Sequence, residues 1–296
     1  MTGGPPLPRR ALRLARRHVE NAAADAARRR MLVRPFRLLV VCGQKRAGNH
    51  LFLNWYMSQH GGTCLHYNNI PPSRPPMEHG HRRLRRGGAG GAPPTLVLSY
   101  EDRPLDAVFG PPLEGFLAAH EGRLLSRDLV IVGREPRNLF ASRFRKWPRL
   151  REDPALLDAS VSLLAEHAEP LLSPPDALRG MRFTPVLYDA LIAARAHRDA
   201  LSDRLGIARG DRGLDEVPLY GHGSSFDGVA ASAGSMAVRA RWKAYAEDPV
   251  FRALLARPPM DALVPAFAAA IAAAAGPGAV EAGDESRDGA PGRAVG

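Results

Sequence analysis

The feature that most constrains this chain is a unit near its start: an apolar run, a glycine-bounded loop and a helical stretch. Phe36 to Cys42 reads FRLLVVC, a short continuous apolar run with β-branched residues. Such a run fits a strand buried on both faces, as in a parallel sheet. Gly43 to Gly48 forms a turn, and Asn49 to His60 then places Leu51, Phe52, Trp55 and Tyr56 at helical spacing until Gly61-Gly62 stops it. Further strands are expected at Thr95–Ser99 (TLVLS), Leu129–Gly133 (LVIVG) and, more weakly, Phe183–Tyr188. They alternate with helices at Pro136–Trp147 and Asp189–Leu205, and residues 237–275 read as mostly helical. The pattern predicts an α/β fold in three layers, a central parallel sheet flanked by helices.

The 296 residues suit one large domain. A basic helix or arm is expected over 1–34, its helix running from Arg9 to Arg30. The α/β domain is expected over 35–275 and a disordered tail over 276–296. Pro71–Pro94, with its Pro pairs, arginine cluster (Arg82, Arg83, Arg85, Arg86) and GGAGGAPP, reads as a mobile surface loop. Hydrophobic residues at 45% and charged residues at 24% exclude a fibrous or wholly disordered protein. The formal charge of +11 favours anionic partners. Cys42 and Cys64 lack disulfide-framework or metal-site spacing. With no apolar leader and no apolar stretch of about 18 residues, a cytoplasmic protein without a transmembrane segment is expected. Weak peripheral membrane contact through the basic arm is compatible with this composition, and specific nucleic-acid binding is not expected.

Two loops carry the chemistry. Gly43-Gln44-Lys45-Arg46-Ala47-Gly48 has G-x-x-x-x-G spacing between a strand and a helix, where backbone N–H groups and a helix N-terminus can cradle an anion. A nucleoside-triphosphate loop would continue with Lys and then Ser or Thr; here Asn49 and His50 follow, and the cations sit inside the loop as Lys45 and Arg46. The site is therefore less suited to Mg²⁺ and a triphosphate, and no metal is expected. In the second loop, strand LVIVG runs into Arg134, and Ser142 lies eight residues on in a helix. Both could reach one phosphate at the carboxyl edge of the sheet. Phe140, Phe144 and Trp147 share a helical stripe and read as core.

At these residues the chain resembles the sulfotransferase family. QKRAGNHLFLNW (Gln44–Trp55) is similar to that family's 5′-phosphosulfate loop, closest to bacterial members with an RSGNH-type loop. VIVGREPRNLFASRF (Val130–Phe144) is similar to its 3′-phosphate motif, with an Arg, a Pro, and a Ser eight residues after the Arg. The resemblance extends through Gly223–Gly228 and Arg241-Trp242-Lys243. It implies a P-loop NTPase-like fold and the donor 3′-phosphoadenosine 5′-phosphosulfate (PAPS). It places the catalytic cation at Arg46 and the 3′-phosphate ligands at Arg134 and Ser142. Gln44, Lys45, Ala47, Gly48, Asn49 and His50 complete the donor loop, with Ser224, Ser225 and Arg241 as late contributors. Ala47 stands where a Ser is usual and Asn49-His50 where Thr-Thr is usual, so hydroxyl contacts to the 5′-phosphate are reduced. The family's base is a His or Glu after a strand; Glu101, at the end of TLVLSYED, matches, with Asp102 and His66 as other candidates. The expected activity is sulfuryl transfer to a hydroxyl or amine of a small molecule, saccharide or lipid, Lys45 and His50 assisting Arg46. A divergent ATP-dependent kinase and a nonenzymatic binder of nucleic acid or acidic polymer are the alternatives.

Overall fold

The computed structural model describes residues 21–80, 82–87, 91–214 and 239–276. It begins with helix α1 over 21–32. Strand β1 (Phe36–Gly43) and helix α2 (Asn49–Gln59) follow, then β2 (Cys64–Tyr67), β3 (Arg82–Arg85) and β4 (Thr95–Glu101). Helices α3 (Leu105–Val108) and α4 (Pro111–His120) lead to β5 (Leu124–Gly133). Next come α5 (Pro136–Lys146), α6 (Arg149–Glu152), α7 (Pro154–Leu172), β6 (Ala177–Leu178) and β7 (Met181–Leu187). The rest comprises α8 (Tyr188–Ala193), α9 (Arg195–Leu205), a 3₁₀ turn at Arg241–Tyr245, α10 (Pro249–Ala256) and α11 (Met260–Ala275).

Seven strands form one sheet in the order β3-β2-β4-β1-β5-β7-β6. The five inner strands are parallel, and the short edge strands β3 and β6 run antiparallel to their neighbours. The sheet is thus mostly parallel rather than wholly so. Alternate residues of the inner strands feed two separate cores. Leu38, Val40, Cys42, Leu96, Leu98, Leu129 and Ile131 pack on one face, with Phe140, Phe144, Leu164 and Phe267 from α5, α7 and α11. Leu39, Val41, Val97, Val130 and Val132 pack on the other, with Phe52, Trp55, Tyr56, Leu191 and Leu201 from α2, α8 and α9. Burial on both sides is why these strands read as unbroken apolar runs instead of alternating ones.

Three expectations change. The Pro71–Pro94 stretch is not simply a loop: Arg82–Arg85 adds an edge strand to β2, pairing Tyr67 with Arg82 and Cys64 with Arg85. Its signal was hidden because four of its neighbours and members are arginines and an edge strand needs only one apolar contact, here Leu84. The third strand begins at Leu124, five residues before the apolar run, because Ser126-Arg127-Asp128 interrupts the apolar pattern at the sheet's margin. The fourth strand ends at Leu187, and Tyr188 opens α8.

The described part of the basic helix packs on the domain. Ala24 and Met31 are buried, Arg82 donates to Asp25 Oδ2 at 2.7 Å, and Arg28 donates to the Met77 carbonyl. Among the described residues no single helix is long and apolar enough to cross a membrane.

Candidate functional site

The sheet order reverses direction at β1. The chain passes to β2 and β4 on one side, then crosses to β5 and β7 on the other. Ligands of open α/β sheets occupy the crevice at such a point, beyond the carboxyl ends of the strands. The register brings four strand ends to that edge: Gly43 lies beside Glu101 and Val132, and Gly133 beside Leu187. The residues that follow them, Gln44, Asp102, Arg134 and Tyr188, build the site.

The first loop can exist only with glycine at both ends. A Cβ on Gly43 would stand 2.3 Å from Asn49 Oδ1 and 2.9 Å from the Val132 carbonyl. Gly48 has φ +107°, and a Cβ there would meet the Tyr188 ring at 2.0 Å. Both facts combine steric exclusion with, at Gly48, a left-handed backbone. Arg46 also adopts positive φ, 77°, as does Asp102 beside it, so the loop and its brace both carry backbone strain. The loop closes on itself through Ala47 N–H to the Gln44 carbonyl, and Ala47 is buried. Helix α2 then starts with no side-chain cap and no acidic residue in its first turn, which keeps its positive end toward the loop.

Neighbouring elements brace this loop. Gln44 is buried and donates to the Ser160 carbonyl in α7. Asp102 Oδ1 accepts from Lys45 N–H at 2.9 Å and from Arg143 at 2.6 Å, and Arg143 also donates to the Lys45 carbonyl and to Ser160 Oγ. Asp102 is thereby committed to holding the loop. Arg134, 2% exposed, donates to the Arg46 carbonyl at 3.2 Å and lies over the Tyr188 ring at 5.1 Å. Arg46 Nε donates to Ser142 Oγ at 3.4 Å. The two motifs identified in the sequence therefore meet in space.

Three guanidinium groups converge here. Arg134, Arg241 and Arg46 all act on the Tyr188 hydroxyl, and each pulls its pKa down against a larger upward push from burial. Arg46 is itself held below the usual arginine range, first by burial and then by the Arg134 charge. Adding an anion would relieve that repulsion. Arg241 reaches this position because the 3₁₀ turn docks on α5: Asn138 Nδ2 donates to the Arg239 carbonyl, and Trp242 N–H donates to Asn138 Oδ1. Trp242 covers the Arg137 guanidinium at 4.8 Å and packs against the core.

Glu101, 8% exposed, ends β4 beside Gly43, and its charge acts on Arg46. Asn49 Nδ2 donates to its Oε1 at 3.2 Å, and His50 Nε2 lies 3.7 Å from the same oxygen. Asn49 Nδ2 also donates to the Gln44 carbonyl, tying the carboxylate to the loop. His50 Nε2 is 3.2 Å from Asn68 Oδ1. His66 is buried one step behind His50: its Nε2 lies 3.0 Å from Ser99 Oγ, which donates to the same Asn68 Oδ1 that His50 meets, and burial drives its pKa down to about 3. Ser224 and Ser225 lie outside the described residues. Phe140 and Phe144 are in the core, while Trp147 is half-buried beneath Arg143 at 5.5 Å.

Sequence reasoning missed Tyr188, Arg143 and Gln44's anchor Ser160. Tyr188 sits at the carboxyl end of a strand, a position that could have flagged it; Arg143 and Ser160 become neighbours only through packing. Among the described residues no group of three or more His, Cys, Asp or Glu is placed to hold a metal ion. The residues do fit an anionic group: cations and N–H donors gather at this edge, and the nearby acids are engaged, Asp102 by Lys45 N–H and Arg143 and Glu101 by Asn49. A scan against models of known protein families matches none, and a search of curated proteins finds no match.

Proposed function

We propose that this chain is a PAPS-dependent sulfotransferase. The observation that carries the reading is the convergence of Arg46, Arg134 and Ser142 on a glycine-bounded loop at the switch point of the sheet, with the Glu101 carboxylate held beside it by Asn49. Arg134, Ser142 and Arg241 would hold the donor's phosphates. Gln44 to His50 would wrap its 5′-phosphosulfate with loop N–H groups, Ala47 and Gly48 allowing close approach.

In this mechanism the acceptor hydroxyl or amine attacks sulfur in line. The bond from sulfur to the bridging phosphate oxygen breaks, and 3′-phosphoadenosine 5′-phosphate leaves. Glu101 takes the acceptor's proton, its orientation set by Asn49 and His50. Arg46, helped by Lys45 and the start of α2, neutralises the charge that grows on the bridging oxygen. Arg134 supports Arg46 through its carbonyl, so the two motifs act as one unit.

A thermal-shift titration with 3′-phosphoadenosine 5′-phosphate, beside AMP and beside ATP with Mg²⁺, tests the donor. A ligand that binds only the folded state raises the melting temperature as its concentration passes its Kd. A rise for the 3′-phosphorylated nucleotide alone supports the reading. A rise only for ATP with Mg²⁺ replaces it with a kinase, and no rise for any of the three removes it.

A further inference from the structure

Charge is very unevenly placed along the chain. Residues 1–87 hold 17 Lys or Arg against 3 Asp or Glu, while residues 88–296 hold 24 against 27. The basic excess of the whole protein thus belongs to one segment. Lys45 and Arg46 in that segment serve the site; most of the rest do not.

The amino-terminal end of the sheet, opposite the site, collects part of this excess. Helix α1 ends at Leu32, and the chain enters β1 at Phe36, so Arg29, Arg30 and Arg34 flank that end and are exposed. Arg123, also exposed, stands just before β5, whose first residue Leu124 pairs with Phe36. None of these four arginines has an ion pair among the described residues, whereas the neighbouring Arg127 is paired with Glu121.

Two of the most exposed large apolar residues occur at the same end. Val33 is 71% exposed and Leu125 is 55% exposed. Leu125 is out because the β1–β5 ladder skips it: Phe36 pairs with Leu124 and Arg37 with Ser126. A bulge of this kind re-aims one side chain while the sheet continues on either side. Leu124, Ser126 and Arg127 on either side of it are half-buried, so Leu125 is the one exposed residue of β5.

We propose that the amino-terminal end of the sheet is a docking surface for an anionic lipid bilayer. The arginines would meet lipid phosphates and carboxylates, and Val33 and Leu125 would enter the boundary between headgroups and acyl chains. Cationic charge beside exposed aliphatic side chains is the combination that an acidic membrane rewards. A nucleic acid would use the charge but has no use for the two aliphatic groups. β1 rises about 3.3 Å per residue, so the crevice at its other end stands on the order of 25 Å from the membrane plane and faces water. An acceptor would then approach from solution, not from the lipid on which the protein rests.

Co-sedimentation of the full chain with vesicles tests this. One set would be phosphatidylcholine alone, the other a 4:1 mixture with phosphatidylserine, each at 50 and 150 mM salt. Binding to the mixed vesicles, not to the neutral ones, and weakening at higher salt is expected. Replacing Arg30 and Arg34 with Ala should weaken it roughly fivefold per arginine. The double variant V33E/L125E should reduce it more than tenfold; both positions are exposed, and an unchanged melting temperature would establish that it folds. Its thermal shift with 3′-phosphoadenosine 5′-phosphate should equal that of the parent, which separates this surface from the donor site. Equal binding to both vesicle types, no binding to either, or unchanged binding by V33E/L125E would each overturn the proposal. So would binding of a random-sequence oligonucleotide that competes fully with the vesicles and is indifferent to V33E/L125E.

Discussion

Arg46 concentrates three conditions in one residue: positive φ, a contact to Ser142, and a guanidinium partly stripped of water beside Arg134. Each condition makes sense if an anion completes the site. Arg46→Ala should therefore lower sulfuryl transfer by at least 100-fold, the loss typical when one charge-stabilising donor is removed. The same change should leave the melting temperature of the nucleotide-free protein equal or higher, because it removes a repulsion; steady-state rates and thermal melts read the two effects separately. Gly48 behaves in the opposite way. Gly48→Ala forces a Cβ onto the Tyr188 ring and a side chain into the left-handed region, and it should destabilise by about 2–4 kcal/mol in denaturant unfolding. Tyr188→Ala in the same chain should recover part of that loss, since the clash is with its ring.

At the scale of elements, helix caps distinguish scaffold from site. The Glu135 carboxylate caps α5 by accepting from Arg137 N–H and Asn138 N–H, and it also binds Asn138 Nδ2, which holds the turn carrying Arg241. Asp153 caps α7 through Ala155 and Leu156 N–H and touches nothing in the crevice. Glu135→Ala and Asp153→Ala should each cost about 1–2 kcal/mol of stability. Only Glu135→Ala should also weaken 3′-phosphoadenosine 5′-phosphate, and calorimetric titration of both variants measures this. A parallel loss in both would mean that Asn138 does not transmit position to Arg241. The edge strand β3 makes the complementary point: its sequence is three arginines and a leucine, and only the hydrogen-bonding edge offered by β2 makes it a strand.

Across the whole molecule, buried histidines set the response to acid. Burial lowers the pKa of His66 to about 3 and that of His197 to about 4, and it also lowers those of His60 and His167. These four rings bind protons near pH 6.5 in the unfolded chain and only at lower pH in the folded one. Stability contributed by the neutral histidines is therefore full above about pH 6.5 and is lost as pH falls toward 4 and 3. The melting temperature should drop steeply between pH 6.5 and 4, and His66→Asn should flatten that slope even if it lowers the value at pH 7. A slope unchanged by His66→Asn would show that its ring takes up no excess protons on unfolding. Strands β1, β4, β5 and β7 were legible in sequence because each had to bury residues on both sides, which leaves an unbroken apolar run, and α2 and α5 by their helical spacing; α3, α4 and α7 were not expected. Both glycine ends of the first loop were legible for a local reason, a turn; the spacing of Arg134 and Ser142 was legible too, but in the structure each meets Arg46, Arg134 at its carbonyl and Ser142 at its Nε. The edge strand, the Leu125 bulge and the bracing by Tyr188, Arg143 and Ser160 left no such trace. They depend on neighbours from 15 to 140 residues away, brought together by the order of the strands in the sheet. The chain by itself thus determined which segments carry charge and where the backbone must turn. Only the tertiary structure decided that Asp102 accepts from Lys45 N–H and Arg143 while Glu101 accepts from Asn49, because those partners arrive from other elements of the fold.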